Sequence, residues 1–286
     1  PWSARSRVHE YGGGAWTADA DGTLYFVDAK SQRVHRMRRG DEPEPLTQEG
    51  PAHGGLRLQQ GRLLAVREDL DSAPHRRGIV EIPVDGSAAE APSLVTTVVE
   101  GEGFYAHPAL SPGGSRIAWV QWTSARMPWQ HATLAISDGV DTVELSTRAA
   151  LQPEWIGDDE LLYADDPTGR WALHRVQVDP RGAVRPAVRV NDVDADTGYG
   201  LWVLGNRWYR PIDDGRIVAV RTNGRDEVVV IDADGRARTL AVPADGHVSV
   251  DDVPAAHRLR AGYGTTTTPG GRRITNDTTE ALAAAD

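Results

Sequence analysis

The sequence predicts an all-β fold: a β-propeller of four-stranded blades, five to six of them present in an incomplete ring. Three observations predict it. A tight turn followed by a strongly apolar strand occurs five times, with turn marks at positions 22, 61, 114, 159 and 215. The intervals of 39, 53, 45 and 56 residues are close to those of propeller blades. The marked strands are apolar on both faces, as expected for a sheet sandwiched between two neighbours, and sustained helical periodicity is nearly absent.

The first mark, Asp21-Gly22, leads into residues 23–28, and Gln60-Gly61 leads into 62–67. Gly113-Gly114 precedes 116–122, Asp158-Asp159 precedes 160–164, and Asp214-Gly215 precedes 216–221. Each has a following strand able to pair with it as a meander, at 34–38, 79–84, 133–137, 171–178 and 227–232. A shorter outer strand follows in several units, at 45–47, 142–146 and 237–242. The propeller is assigned to residues 1–253. Beyond Pro254 the pattern fails, with Thr265 to Thr268, Pro269, Gly270 and Gly271 in a stretch almost without apolar residues, so 254–286 is expected to be an irregular or disordered tail.

At 286 residues the chain is long enough for a sizeable core. Hydrophobic residues at 40%, charged residues at 25% and no long apolar run describe a soluble protein without a membrane partner. A net charge of −10 argues against a nucleic-acid partner. The absence of cysteine rules out disulfides and a cysteine nucleophile. Cytoplasmic localisation is the expectation, although Pro1 is not an initiator residue.

Nine tryptophans against two phenylalanines is an unusual choice. Trp119, Trp122, Trp155, Trp171, Trp202 and Trp208 lie in or beside predicted strands and are expected to fill the wedges between blades. Trp129, within Met127-Pro128-Trp129-Gln130 on a long loop, is instead placed on a functional rim.

Residues 5–16 concentrate unusual chemistry: two arginines, a His-Glu pair and a tyrosine directly precede Gly12, Gly13 and Gly14. The glycines are expected to turn the chain sharply into a strand opened by Trp16. The charged residues then sit at a strand end, where rims and tunnel mouths form. A second polar stretch, Arg67-Glu68-Asp69, follows a buried strand directly and leads into a loop holding His75, Arg76 and Arg77.

The run Arg5-Ser6-Arg7-Val8-His9-Glu10-Tyr11-Gly12-Gly13-Gly14 resembles a segment in the propeller of bacterial prolyl oligopeptidase family serine peptidases, in the acylaminoacyl peptidase and dipeptidyl aminopeptidase branch. Later segments resemble the same propeller in the same order: residues 110–119, Met127-Pro128-Trp129, Gln152-Pro153-Glu154-Trp155, and 213–218 followed by Asn223-Gly224-Arg225. The resemblance covers about residues 1–250. It implies a propeller that screens substrates by size and helps position short peptides, above an α/β-hydrolase domain that cleaves by acyl transfer. It also implies that the start of the propeller, its last blade or so and the hydrolase domain lie outside this chain.

No G-x-S-x-G occurs, so no catalytic residue is assigned and no hydrolysis is expected from this chain alone. By the resemblance, acidic and arginine side chains on propeller loops hold a peptide terminus; the substrate-binding assignments are Arg7, Glu10, Tyr11, Arg67, Glu68 and Trp129. No cofactor and no metal are expected. Asp192, Asp194 and Asp196 alternate as in a calcium loop, but Thr197 stands where that loop needs glycine and Val203 where it needs glutamate. His9-Glu10 does not continue into H-E-x-x-H. Two other readings stay open: a stand-alone propeller serving as an interaction platform, and a propeller enzyme with a metal in its channel.

Overall fold

A computed structural model describes residues 2–69, 71–73, 75–179, 182–212 and 215–241, together with the backbone of strands at 247–250, 260–264 and 275–277. Five four-stranded antiparallel meanders follow one another along the chain. The first blade is β1 (Trp16–Ala18), β2 (Leu24–Val27), β3 (Val34–Met37) and β4 (Glu44–Pro45); the second is β5 (Ala52–Gln59), β6 (Arg62–Asp69), β7 (Arg76–Ile82) and β8 (Thr96–Gly101). The third is β9 (Phe104–Leu110), β10 (Ile117–Trp122), β11 (Thr133–Ser137) and β12 (Thr142–Leu145). The fourth is β13 (Leu151–Trp155), β14 (Glu160–Asp165), β15 (Ala172–Gln177) and β16 (Val188–Arg189); the fifth is β17 (Tyr209–Pro211), β18 (Ile217–Thr222), β19 (Asp226–Ile231) and β20 (Ala237–Thr239). Among the described residues the sheets do not close into a ring.

The strands marked by turns in the sequence are β2, β6, β10, β14 and β18, the second strand of each blade, and their two-sided apolarity has a direct cause. Leu63 and Ala65 pack toward the first blade with Tyr25 and Val27, while Leu64 packs toward the third with Ile117 and Trp119. In β14, Leu161 and Tyr163 join Ala118 and Val120 of the third blade, whereas Leu162 and Ala164 join Ile217 and Ala219 of the fifth. A blade flanked by two neighbours therefore has a core face on both sides.

Residues 254–286, expected to be irregular, contain two strands, β22 (Arg260–Gly264) and β23 (Thr275–Asp277), which pair with β21 (His247–Val250) as a three-stranded antiparallel sheet. Ladder pairing joins backbone groups, so a stretch poor in apolar side chains can still form it. The remainder of that expected tail lies outside the described residues.

A second repeat organises the first strands. In β5, β9 and β13 the pairing with the next strand slips at one place, between Gly54 and Arg57, between Ala106 and Ala109, and between Leu151 and Glu154. Two residues of the first strand there oppose one of the second, a β-bulge. The leading bulge residue is left-handed in all three: Gly55 (φ 56°), His107 (φ 53°) and Gln152 (φ 45°). The same step precedes β1 at Gly14 (φ 54°) and β17 at Gly205 (φ 82°). Left-handed backbone is costly outside glycine, so His107 and Gln152 must be held there. The Gln152 N–H donates to His107 Nδ1 (3.0 Å), the Gln152 amide donates to the Tyr209 carbonyl (2.6 Å), and its Oε1 accepts from the Trp208 N–H (2.7 Å).

Two residues beyond three of these steps, those at Gly55, Gln152 and Gly205, stand three charges that meet: Arg57, Glu154 and Arg207. Glu154 of β13 accepts from Arg207 (2.6 Å) and from Arg57 of β5, and Arg57 also donates to the Pro108 carbonyl of β9 (3.0 Å). The carboxylate thus ties together the second and fourth blades and the lead-in to the fifth, and Arg57 adds the third. Two cations are held by one anion, and the Pro108 carbonyl adds a backbone acceptor for Arg57, so the buried charges are paired.

Two buried histidines accompany this interior. Burial, followed by the Arg207 and Arg57 charges, lowers the His107 pKa to about 3, and burial lowers that of His53 to about 4, from an ordinary 6.5. The unfolded chain takes up protons at both positions below pH 6.5, and the folded chain only near those lowered values. Their contribution is therefore complete above pH 6.5 and declines as pH falls, by about 1.4 kcal/mol per pH unit for each histidine. The melting temperature is expected to drop between pH 6.5 and pH 4, and calorimetry at pH 5 is expected to find uptake of about two protons or more on unfolding. A melting temperature unchanged from pH 6.5 to pH 5 would show that these rings are not buried neutral.

Candidate functional site

The segment before β1 is pinned from several sides. Val8 is fully buried, and Ser6 Oγ donates to the His53 carbonyl (2.6 Å) while accepting from the Val8 N–H (3.1 Å). The Arg7 N–H donates to Gln32 Oε1 (2.7 Å). The chain then folds back on itself, Glu10 N–H to the Arg7 carbonyl (3.0 Å) and Gly12 N–H to the Val8 carbonyl (2.9 Å), which puts His9 (φ 55°) and Glu10 (φ 67°) in the left-handed region. Two consecutive non-glycine residues held there are strained backbone of the kind that collects at functional sites.

The three glycines turn the chain into β1 as expected, and contact as well as φ demands them. A Cβ on Gly13 would lie 2.2 Å from the Leu204 carbonyl oxygen, and one on Gly14 would lie 2.5 Å from the Gly55 Cα. Gly12 and Gly13 carbonyls accept from the N–H groups of Leu204 (2.9 Å) and Gly55 (3.1 Å). The segment before β1 is therefore wedged between β5 and the chain leading to β17.

Residues on these converging segments line a cavity of about 420 Å³. Glu68, near the end of β6, is its buried anion. It stands opposite Arg77 in the β6–β7 ladder, and its Oε1 accepts from Arg77 Nε at 2.5 Å. Its Oε2 accepts from the His9 N–H at 2.8 Å. This second bond ties the strained turn to the second blade. The Arg77 guanidinium lies 4.2 Å over the Phe104 ring, and Phe104 stacks on Trp122 at 5.5 Å. The His9 ring meets both edge-on, and burial, then the charge of Arg77, lowers its pKa to about 3, so it is neutral at pH 7. A second aromatic group comes from Tyr11, Trp129 and Trp202, with Trp129 and Trp202 at 4.3 Å and Tyr11 edge-on to Trp202 at 5.6 Å.

Of the six residues assigned from sequence, Glu10, Tyr11, Glu68 and Trp129 line this cavity, although 119 positions separate Glu10 from Trp129 in the chain. Arg7 and Arg67 do not line it. Arg7 is exposed beyond the turn, and Arg67, one residue from Glu68, projects from the other face of β6 and pairs with Glu100 at 2.7 Å. Arg77, Phe104, Trp122 and Trp202 were not assigned. Trp202 was expected in the core, but it lies outside any strand, 45% exposed, on the cavity wall. Asp194 and Asp196 have a structural partner in Arg170 (3.0 and 2.7 Å), and Asp196 also accepts from the Trp171 N–H (2.9 Å). No group of three or more potential metal ligands occurs among the described residues, and no helix among them is long and apolar enough to cross a membrane.

No family model matches the chain, and no curated protein does. Solved structures do. A puromycin-hydrolysing peptidase of Mycobacterium tuberculosis superposes with a TM-score of 0.78 at 30% identity, over 96% of this chain and 47% of that one. A puromycin hydrolase gives a TM-score of 0.81 at 28% identity, over 98% of this chain and 46% of its own. Prolyl oligopeptidase B from Galerina marginata, at 11% identity and a TM-score of 0.59, shares the fold. The chain spans less than half the length of each of these proteins. The fold is a β-propeller, and the likeness at 28–30% identity to the puromycin-hydrolysing peptidases extends over nearly the whole chain. The chain corresponds to the propeller region of the prolyl oligopeptidase family, as found in the puromycin-hydrolysing peptidases.

Truncating Glu68 to alanine leaves Arg77 without its anion and frees the His9 N–H, so Glu68→Ala is expected to cost about 3 kcal/mol or more in urea unfolding. Glu68→Gln retains an acceptor for the His9 N–H and is expected to cost distinctly less. Equal, small effects from both would show that the carboxylate does not hold the turn.

Proposed function

We propose that the cavity is a substrate-positioning site of a peptidase propeller and that it holds the free amino end of a short peptide. The observation that carries this reading is the Glu10 carboxylate. It is exposed on a strained turn at the edge of an aromatic cavity, and its side chain makes no hydrogen bond or ion pair among the described residues. An ammonium group completes such a carboxylate with a charge-assisted hydrogen bond. Tyr11 and Trp129 supply apolar wall beside it.

Glu68 takes a different part from the one expected of it. Both of its oxygens are already occupied, by Arg77 and by the His9 N–H. It acts through the turn, fixing where Glu10 stands, and is a positioning residue. An anion that seeks a free amine favours the dipeptidyl aminopeptidase side of the family over the acylaminoacyl side, because an acylated terminus carries no charge to meet it.

The likeness to a puromycin-hydrolysing peptidase supports a role on small substrates. The chain has no G-x-S-x-G, so in this reading it screens and positions, and an α/β-hydrolase domain as its partner performs the acyl transfer.

Calorimetric titration with trialanine tests the reading. Acetylation of the peptide's amine and the Glu10→Gln substitution are each expected to weaken binding about tenfold, and to be non-additive when combined. Arg5→Ala, which removes an exposed cation outside the cavity, is expected to leave binding unchanged. Affinity indifferent to both acetylation and Glu10→Gln would contradict the assignment.

A further inference from the structure

Several tight turns of this propeller are built on Asp-Gly, as at Asp21-Gly22, Asp85-Gly86, Asp138-Gly139 and Asp234-Gly235. One turn departs from that choice. The chain has four asparagines, and a single one, Asn223, precedes glycine. It stands at the tip of the β18–β19 hairpin, just past the last ladder pair, Thr222 with Asp226, and Asn223, Gly224 and Arg225 are all exposed.

The geometry of this tip suits the chemistry of an Asn-Gly pair. Gly224 has φ 77°, and the space where a Cβ would stand is open, so nothing screens its backbone nitrogen from the asparagine side chain. The Gly224 N–H has no hydrogen-bond partner among the described residues. Asn223 itself is engaged: its Nδ2 donates to the Asp194 carbonyl at 2.8 Å. That bond, with the reciprocal backbone bonds between Asp196 and Thr222 (2.9 Å each), fastens the tip of the fifth blade to the 191–197 loop. Arg170 holds the same loop from the fourth blade through Asp194 and Asp196. The loop runs on into residues 201–204 of the cavity wall.

We infer that Asn223 is a site of spontaneous modification, converting through a succinimide to aspartate and isoaspartate, and that the conversion loosens the 191–197 loop from the fifth blade. The inference stands independently of the peptide reading of the cavity. The Gly224 nitrogen attacks Asn223 Cγ; the N–Cγ bond forms, the Cγ–Nδ2 bond breaks, and the nitrogen's proton leaves with the amide group as ammonia. Water then opens the ring. Addition at Cγ gives aspartate, whereas addition at the main-chain carbonyl carbon gives isoaspartate, whose backbone runs on through Cγ and is longer by a methylene. Both products have lost Nδ2. A carboxylate then faces the Asp194 carbonyl, acceptor against acceptor, where a donor stood.

Peptide mapping by mass spectrometry of the 286-residue chain, aged at neutral and mildly alkaline pH, tests both claims. Asn223 is expected to convert with matching release of ammonia, at a rate that rises with hydroxide concentration, while Asn191 and Asn206 stay intact. Isoaspartate is read by enzymatic methylation of its carboxylate. Hydrogen exchange of the backbone amides at 192–198 is expected to quicken as conversion proceeds. Asn223→Asp, which removes Nδ2 at once, is expected to show the quicker exchange from the start. Asn223→Gln, whose side chain closes only a larger and slower-forming ring, is expected to show no age-dependent change. Arg170→Ala frees the loop from its other side and is expected to speed conversion several-fold, because the tie restrains the side chain that must turn toward Gly224.

Asn223 persisting in the folded chain over a time in which the urea-unfolded chain converts would overturn the modification site. Conversion of Asn191 or Asn206 at the same pace would also overturn it, since the reaction would then owe nothing to this turn. Exchange at 192–198 unchanged in the converted chain and in Asn223→Asp would overturn the loosening of the loop.

Discussion

One buried carboxylate carries much of the architecture. Glu154, on the first strand of the fourth blade, is shared by Arg57 of the second blade and Arg207 ahead of the fifth, and Arg57 reaches on to a carbonyl of the third. Blades of a propeller otherwise meet through apolar wedges, which are non-directional and tolerate sliding. A charge that must find its partners or remain buried alone admits no such slack. The node fixes the rotation of one blade against the next, and the repeated bulge brings its members together. Each blade enters with a left-handed step, at Gly14, Gly55, His107, Gln152 and Gly205, and the three charges stand two residues beyond such a step.

The site inherits its geometry from that interior. The glycines at 13, 14, 55 and 205 allow three segments to touch backbone to backbone, and a Cβ on Gly205 would lie 2.6 Å from the Gly14 Cα. Residues immediately upstream of these contacts form the cavity: His9, Glu10 and Tyr11 before one, Trp202 before another. Glu68 then repeats on a smaller scale what Glu154 does inside, one carboxylate serving two elements, the turn through the His9 N–H and β7 through Arg77. The strain in His9 and Glu10 is sustained because both ends of the turn are tied. An acidic side chain is thereby presented to solvent without a partner among the described residues.

Much of the fold was legible because blade strands are strong signals. Tight turns and two-sided apolar strands marked the second strand of every described blade, and the meander partners followed from pairing logic. The bulge repeat was not legible, since Gly55, His107 and Gln152 share a backbone conformation and no chemistry. The site was half legible. Glu10, Tyr11, Glu68 and Trp129 stood out as polar or aromatic residues next to turns, whereas Trp122 and Trp202 looked like core because a tryptophan beside a strand usually is, and Phe104 carried no signal of its own. What placed Trp202 on the wall is its segment's crossing to the first blade, fixed by the Leu204 N–H to Gly12 bond, a contact between residues 192 positions apart. Neighbouring sequence carries no trace of such a contact. Arg67 illustrates the converse: right in composition and position, it is turned away because strand side chains alternate.

The comparisons place the chain among peptidase propellers, and the cavity gives that placement chemical content: an anion unpartnered among the described residues, a neutral histidine and an open aromatic wall. The most direct test is a crystal structure of the chain soaked with trialanine. The account predicts the peptide in this cavity, its amine within hydrogen-bonding distance of the Glu10 carboxylate. A peptide bound elsewhere, or seated here with its carboxylate end inward, would contradict it.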